Sequence, residues 1–181
     1  MTPEDKQLPQ DVLRTPGPLR LYRIARLKYA NLSGAGSALY PGRWNRLGQE
    51  AIYTSTDPGT PVLEHFAHLP KNVIPSNLAM MEILLDRRGP SAAETNETAV
   101  AGSGIIVYPT LKFARERHPF IPWTKYPGMI AIAVPSVIAP SWNVVLYPQK
   151  DGFFDRVSLH SVESFEYDPR LFPENTPLES K

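Results

Sequence analysis

Arg23, Arg43, Tyr53, Glu64 and Ser136 have the side chains for a reactive site, and each stands beside an apolar stretch. A guanidinium offers paired donors that match a phosphate or a carboxylate. A carboxylate can accept a hydrogen bond from a hydroxyl and stabilise positive charge developing beside it. A tyrosine ring can wall off a flat ligand, and a serine hydroxyl can donate or accept. Each also has an ordinary explanation. Arg23 can be a strand-edge charge, Arg43 a surface residue, Tyr53 a core aromatic with a wet tip, Glu64 a first-turn glutamate favoured by the helix dipole, and Ser136 a turn residue after proline. Their order and surroundings have to separate the two readings.

Composition and spacing exclude other chemistries. The 181 residues include no cysteine, which removes disulfides, thiolate metal sites and a cysteine nucleophile together. "GAGSALYPG" is not a dinucleotide fingerprint, because G-x-G-x-x-G needs glycine where Leu39 stands. His65 and His68 beside Glu64 match neither H-E-x-x-H nor its inverse, which needs histidine at Pro61, so they read as surface histidines and no metal is expected. G-x-S-x-G is absent. With 19 Lys+Arg against 18 Asp+Glu and no long run of either sign, nothing suggests direct nucleic-acid binding or an anionic membrane. No stretch approaches the ~20 apolar residues of a membrane span, and the polar start "MTPEDKQLPQ" has no apolar leader core, so a soluble cytoplasmic protein is expected.

The elements that must position these side chains are short. Twenty prolines spread along the chain argue against a helical bundle. Residues 1–18 read as a flexible N-terminal arm, 19–172 as one domain and 173–181 as a C-terminal tail. "LRLYRIA" is predicted as a strand, and residues 31–50, with four glycines, as a long loop too glycine-rich for a helix. "AIYTS" is predicted as a strand that turns at "TDPG". The helix "TPVLEHFAHL" follows, with Thr60 as N-cap and Pro61 at its first position. Val62, Leu63, Phe66 and Ala67 fall on one arc of it, Glu64 at the arc's edge and His65 opposite. "NLAMMEILLD", "GMIAIAVPS", "SWNVVLYP" and "SVESFEYDPRLF" are predicted strands, the second of them central. Residues 87–104 read as a surface excursion and "LKFARERHPF" as a short helix. Strands outnumber helices, which makes the class α+β.

Taken in order, "LYRIA", "GxGSALYPGRWNRLGQEAIYTS", "VLEHFAH", "IAVPSVI" with "NVVLYP", and "FEYDPRLF" resemble the RES domain, the family named for an arginine, a glutamate and a serine. The likeness runs from about Leu19 to Phe172. It implies an ADP-ribosyltransferase-like fold of the diphtheria-toxin type, two small β-sheets around an NAD cleft with a few short helices. It also implies the toxin of a type II toxin–antitoxin pair that breaks down NAD and arrests bacterial growth. By the family pattern Glu64, Arg23 and Ser136 are catalytic, and Arg43, Tyr53, Arg23, Ser136, Trp44 and Asn45 bind NAD, the Trp-Asn pair also shaping the loop. NAD is then the substrate, with no permanently bound cofactor. The implied partner is an Xre-like helix-turn-helix antitoxin, with a homodimer inside that complex left open. Three departures are visible: Pro41 replaces the first of a glycine pair, Tyr147-Pro148 replaces an asparagine-proline, and before "GMIAIAVPS" only Trp123 can stand for an expected tryptophan.

The implied chemistry is coherent. Breaking the nicotinamide–ribose bond passes through an oxocarbenium-like sugar, which Glu64 can stabilise while Arg43, with Arg23 beside it, clamps the pyrophosphate. Trp44 would anchor the loop to the core. Water, phosphate and a protein side chain remain open as acceptors, as does a catalytically silent binding module.

Overall fold

The computed structural model describes residues 16–70, 73–87, 99–101, 104–108, 115 and 128–172. The arm up to residue 15, the tail from 173, the predicted helix at 111–120 apart from Arg115, and Trp123 lie outside the described residues.

Among the described residues eight strands make one sheet: β1 (Leu19–Arg26), β2 (Ile52–Ser55), β3 (Leu78–Leu85), β4 (Ala99–Ala101), β5 (Ile105–Val107), β6 (Ala131–Pro135), β7 (Trp142–Leu146) and β8 (Val157–Phe165), in the order β4-β5-β6-β7-β2-β1-β3-β8. Neighbours run antiparallel except β5 and β6. The expected pair of separate small sheets is therefore corrected to a single hydrogen-bonded sheet. The pairing of β1 with β2 rests on one residue pair, Tyr22 opposite Ser55, whereas β1 pairs with β3 along its whole length. The sheet thus has two strand groups, β4-β5-β6-β7-β2 and β1-β3-β8, meeting at a narrow seam.

Alternation along the strands sorts side chains onto two faces. Leu21, Ala25, Ile52, Met81, Ile83, Ala131, Ala133, Val144 and Leu146 form a core cluster that spans the seam. Trp44, Ile106, Ile132, Val134, Val145 and Tyr147 form a second cluster, with Tyr53 packed against it. As predicted, β6 is central and buried at every position. β4 and β5 were not predicted. Three-residue strands give too short a pattern to read, and β4 falls inside the supposed surface excursion.

Two further predictions are corrected. Residues 31–50 contain a short helix, α1 (Ala35–Leu39), despite their glycines. The Ser37 hydroxyl pins this helix to Ala51, accepting from its N–H at 2.7 Å, and the Ala38 carbonyl accepts from Gly48 N–H at 2.9 Å. The helix carrying Glu64, α2 (Gly59–Ala67), starts earlier than expected. Pro58 already has helical φ and ψ (−72° and −21°), and Asp57 rather than Thr60 caps the end, accepting from the N–H groups of Gly59 at 3.0 Å and Thr60 at 2.9 Å. Its apolar arc is not a buried stripe: Leu63 and Phe66 are exposed, while Thr60 and Pro61 are buried. A last short helix, α3 (Phe153–Arg156), leads into β8.

Candidate functional site

A cavity of about 620 Å³ opens where α2, β2, β6, β7 and the 40–44 segment meet, with Ile24 of β1 also on its wall. That volume suits a small organic ligand. Alternation accounts for the wall: Tyr53, Ser55 and Asn143 share the sheet face on which Trp44 and Val134 pack.

Glu64 is half-buried on the wall, and its carboxylate is held from behind. Ser136 Oγ donates to Glu64 Oε1 at 2.7 Å, and Asn143 Nδ2 donates to the same oxygen at 2.8 Å. Both donors are themselves fixed. Ser136 Oγ accepts from the N–H groups of Ile138 (3.1 Å) and Ala139 (3.2 Å), and Asn143 Oδ1 accepts from Ser55 Oγ at 2.7 Å. Two donors converging on Oε1 leave Oε2 as the oxygen that can meet a ligand. Ser136 is buried behind the carboxylate and is not among the described residues of the wall. It meets the site through the Glu64 carboxylate.

The 40–48 segment is built around Asn45, which is buried and also absent from the wall. Asn45 Oδ1 accepts from Gly42 N–H and from Tyr53 Oη, each at 2.9 Å, and its Nδ2 donates to the carbonyls of Ser37 (2.7 Å) and Gln49 (2.8 Å). Tyr53 Oη in turn accepts from Trp44 N–H at 2.9 Å, and Tyr147 Oη donates to the Trp44 carbonyl at 2.7 Å. Two tyrosine hydroxyls therefore grip the Trp44 backbone while its ring lies in the core, and the departure at Tyr147 has a structural use. Gly42 rests on Tyr53 so closely that a Cβ there would lie 2.5 Å from Oη. Burial pushes the Tyr53 hydroxyl up to about 12, against partial relief from the Trp44 N–H, the Arg43 charge and the Asn45 backbone. It stays protonated, a donor to Asn45, at any physiological pH.

Arg43 lies half-buried on the wall. Arg23 does not join it. It shares strand parity with Leu21 and Ala25 and so points to the opposite face, where its Nη1 reaches the Asn31 carbonyl at 3.4 Å. Burial lowers its pKa. The expected pair of neighbouring arginines is thus one arginine in the cavity and one beneath the sheet.

One residue of this region, Asn143, was not singled out from the sequence, and the two histidines set aside as metal ligands return on the cavity wall. Asn143 carries a signal, a polar residue inside the apolar run "WNVVL". His65 and His68 both line the cavity, but His65 is half-buried, not a surface residue: its ring stacks on Tyr167 with centroids 5.8 Å apart. Among the described residues no group of His, Asp and Glu has the arrangement to hold a metal ion, and no helix is long and apolar enough to cross a membrane.

One cleft of this α+β sheet thus holds a buttressed carboxylate and an arginine. The RES domain profile matches residues 20–168, and the chain belongs to that family. It is 27% identical over 155 residues to Toxin Res of Photorhabdus laumondii subsp. laumondii, covering 83% of this chain and 96% of that one. It is also 27% identical over 142 residues to the Prs ADP-ribosylating toxin of a Sphingobium species, covering 78% of this chain and 86% of the relative. The toxin–antitoxin complex MbcT–MbcA of M. tuberculosis aligns over 86% of this chain and 87% of the matched chain, with 15% identity and a TM-score of 0.48.

Proposed function

We propose that this chain is the toxin of a toxin–antitoxin pair, that it acts in the cytoplasm, and that its cavity cleaves the nicotinamide–ribose bond of NAD+. The observation that carries this reading is Glu64, a carboxylate oriented through a single oxygen on the wall of a cavity that also holds Arg43 and Tyr53. The names of the two relatives, a toxin and an ADP-ribosylating toxin, support it. In this reading the fold is ADP-ribosyltransferase-like, with the cleft lying over the seam between two strand groups.

The chemistry needs little from the protein beyond electrostatics. The bond from ribose C1′ to the pyridinium nitrogen breaks with its electron pair going to nitrogen, so nicotinamide leaves neutral and positive charge appears on the sugar. Glu64 Oε2 accepts a hydrogen bond from a ribose hydroxyl and faces that charge. Donors to Oε1 keep the carboxylate from rotating away, and such preorganisation costs nothing at the moment of reaction. Arg43 pairs with the pyrophosphate, and Tyr53 forms the wall for the flat ring. Water or inorganic phosphate then bonds to C1′, water losing its proton, to give ADP-ribose or its 1″-phosphate. Arg23, on the opposite face, supports the chain at Asn31, and Ser136 and Asn45 orient groups that touch the ligand.

The test is to incubate the purified chain with NAD+, with and without phosphate, and to follow nicotinamide beside Glu64→Gln. Nicotinamide release that vanishes in the variant supports the reading, and phosphate dependence names the acceptor. The name of the Sphingobium relative favours a second reading, ADP-ribosyl transfer to a protein. It is distinguished by label from adenine-labelled NAD+ appearing on protein. The expected partner is an Xre-like helix-turn-helix antitoxin that covers the cleft, and full turnover in a saturated complex would argue against it.

A further inference from the structure

The hairpin that joins β6 to β7 reaches α2 through a pair of serines. Pro135 is paired with Trp142 at the end of the ladder, and Ser136 and Ser141 continue that register as the next facing pair, Ser136 N–H donating to the Ser141 carbonyl at 2.8 Å. Facing residues of an antiparallel pair turn their side chains to the same side. Ser136 Oγ donates to Glu64 Oε1 at 2.7 Å, and Ser141 Oγ donates to Asp57 Oδ2. One of these carboxylates is in the cleft, and the other is at the entry to the helix that carries it.

The two carboxylates are held to different degrees. Both oxygens of Asp57 are engaged: Oδ1 accepts from the N–H groups of Gly59 and Thr60, and Oδ2 accepts from Thr60 Oγ at 2.7 Å as well as from Ser141. A serine hydroxyl has one proton, and that of Ser141 is on Asp57, so Thr56 Oγ, 3.2 Å away, donates to Ser141. Glu64 is held through Oε1 alone. The bonds that Ser136 Oγ accepts from Ile138 and Ala139 fix it within its own turn, not on the helix. Packing adds little there, because Val137 and Ile138 are exposed. The fixed point of the hairpin neck on the helix side is therefore Asp57.

We propose that Asp57 and Ser141 are positioning residues for Glu64: their hydrogen bond clasps the hairpin neck to the helix entry and so holds Ser136 against Glu64 Oε1. Resting on the function proposed above, the clasp acts on the carboxylate that faces the ribose. Its loss slows cleavage of the nicotinamide–ribose bond and leaves binding of NAD+ by Arg43 and Tyr53 intact.

The variant that isolates the clasp is Ser141→Ala, which removes the donor and leaves Asp57 its bonds to Gly59 and Thr60. Carbon-detected spectra of the full chain follow the Glu64 carboxyl resonance, assigned by comparison with Glu64→Gln. That resonance should move in Ser141→Ala, although Ser141 donates to Asp57 and not to Glu64. In nicotinamide release, kcat should fall roughly fivefold, the worth of one hydrogen bond, with KM for NAD+ unchanged. Added to Ser136→Ala, or to Asp57→Ala, the same substitution should change kcat by less than about twofold, because residues acting through one chain of contacts are not additive. A merely structural loss would carry over in full into both backgrounds and overturns the proposal. A Glu64 resonance that stays in place in Ser141→Ala, a wild-type kcat in that variant, or a raised KM with kcat intact does the same. Wild-type protein that releases no nicotinamide sinks the function reading instead, and the Glu64 resonance then decides the clasp alone.

Discussion

Glu64 concentrates the chemistry of the site, and its neighbours determine how sharply. Both backing donors end on Oε1, so removing one leaves the carboxylate held by the other and free to pivot. Ser136→Ala and Asn143→Ala should each reduce nicotinamide release by roughly ten- to a hundredfold, the scale of one hydrogen bond to a charged group. Glu64→Gln should cost about a hundred- to a thousandfold or more. Initial rates at saturating NAD+ check the ordering; wild-type rates in Ser136→Ala and Asn143→Ala beside a slow Glu64→Gln would show that orientation of the carboxylate is irrelevant. At this scale the sequence was partly legible. Glu64, Arg43 and Tyr53 were picked out and share one wall, and Ser136 reaches the site through Glu64. Arg23 was misplaced because "LRLYRIA" is apolar at positions of both parities, so its pattern does not say which face an arginine on it will take. Asn143 was visible as a break in an apolar run, but which carboxylate it would serve depends on a contact 79 positions away.

At the scale of elements, two devices position the cleft: the cap on α2 and the Asn45 hub. Asp57 holds the helix start and accepts from Ser141 and Thr60 side chains as well. Burial alone would raise its carboxyl pKa; the hydrogen bonds from Ser141, Thr60 and Gly59 outweigh burial and lower it below the ordinary value. The stability it contributes is therefore present above the unfolded carboxyl pKa of about 3.9 and is lost as pH falls through the lower folded one. Asp57→Ala should cost about 1 kcal/mol, a fall in thermal midpoint of about 2–4 °C near neutral pH, and the gap to wild type should narrow as pH falls through the lowered carboxyl pKa. For the hub, Tyr53→Phe leaves the Trp44 N–H without its acceptor and should destabilise by roughly 1–3 kcal/mol in urea unfolding. Gly42→Ala should do at least as much, because Tyr53 Oη is bonded on both sides and cannot retreat. The loop's order was hidden from the sequence: four glycines in twenty residues suggest freedom, whereas one asparagine with hydrogen bonds in both directions removes it. The helix start was misread because Asp57-Pro58 looked like the turn before the helix when it is the helix's own entry.

For the molecule as a whole, buried phenols set the alkaline limit. Tyr53 and Tyr167 are each pushed up to about 12 by burial, with the neighbouring N–H groups and Arg43 charge only partly opposing this at Tyr53. Groups with raised folded pKa values stabilise fully below the unfolded value of about 10 and lose that contribution as pH rises toward the folded one. Urea midpoints should therefore fall steeply between about pH 10 and 12, and less so in a Tyr53→Phe, Tyr167→Phe double variant. The α+β class and the buried central strand could be read from the sequence, because long apolar runs survive without knowledge of partners. The single sheet could not. Whether two strand groups join depends on one pair, Tyr22 with Ser55, and no periodicity marks it. That seam has a mechanical meaning. Among the described residues one register pair ties the two groups through the backbone, and the rest of the join is a side-chain core. The cavity straddles it, with Ile24 on one side and Thr54, Ser55 and Asn143 on the other. A ligand seated there would act as a rivet across that join: it would couple the melting of one strand group to the other, and scanning calorimetry should show a sharper transition when the cleft is filled.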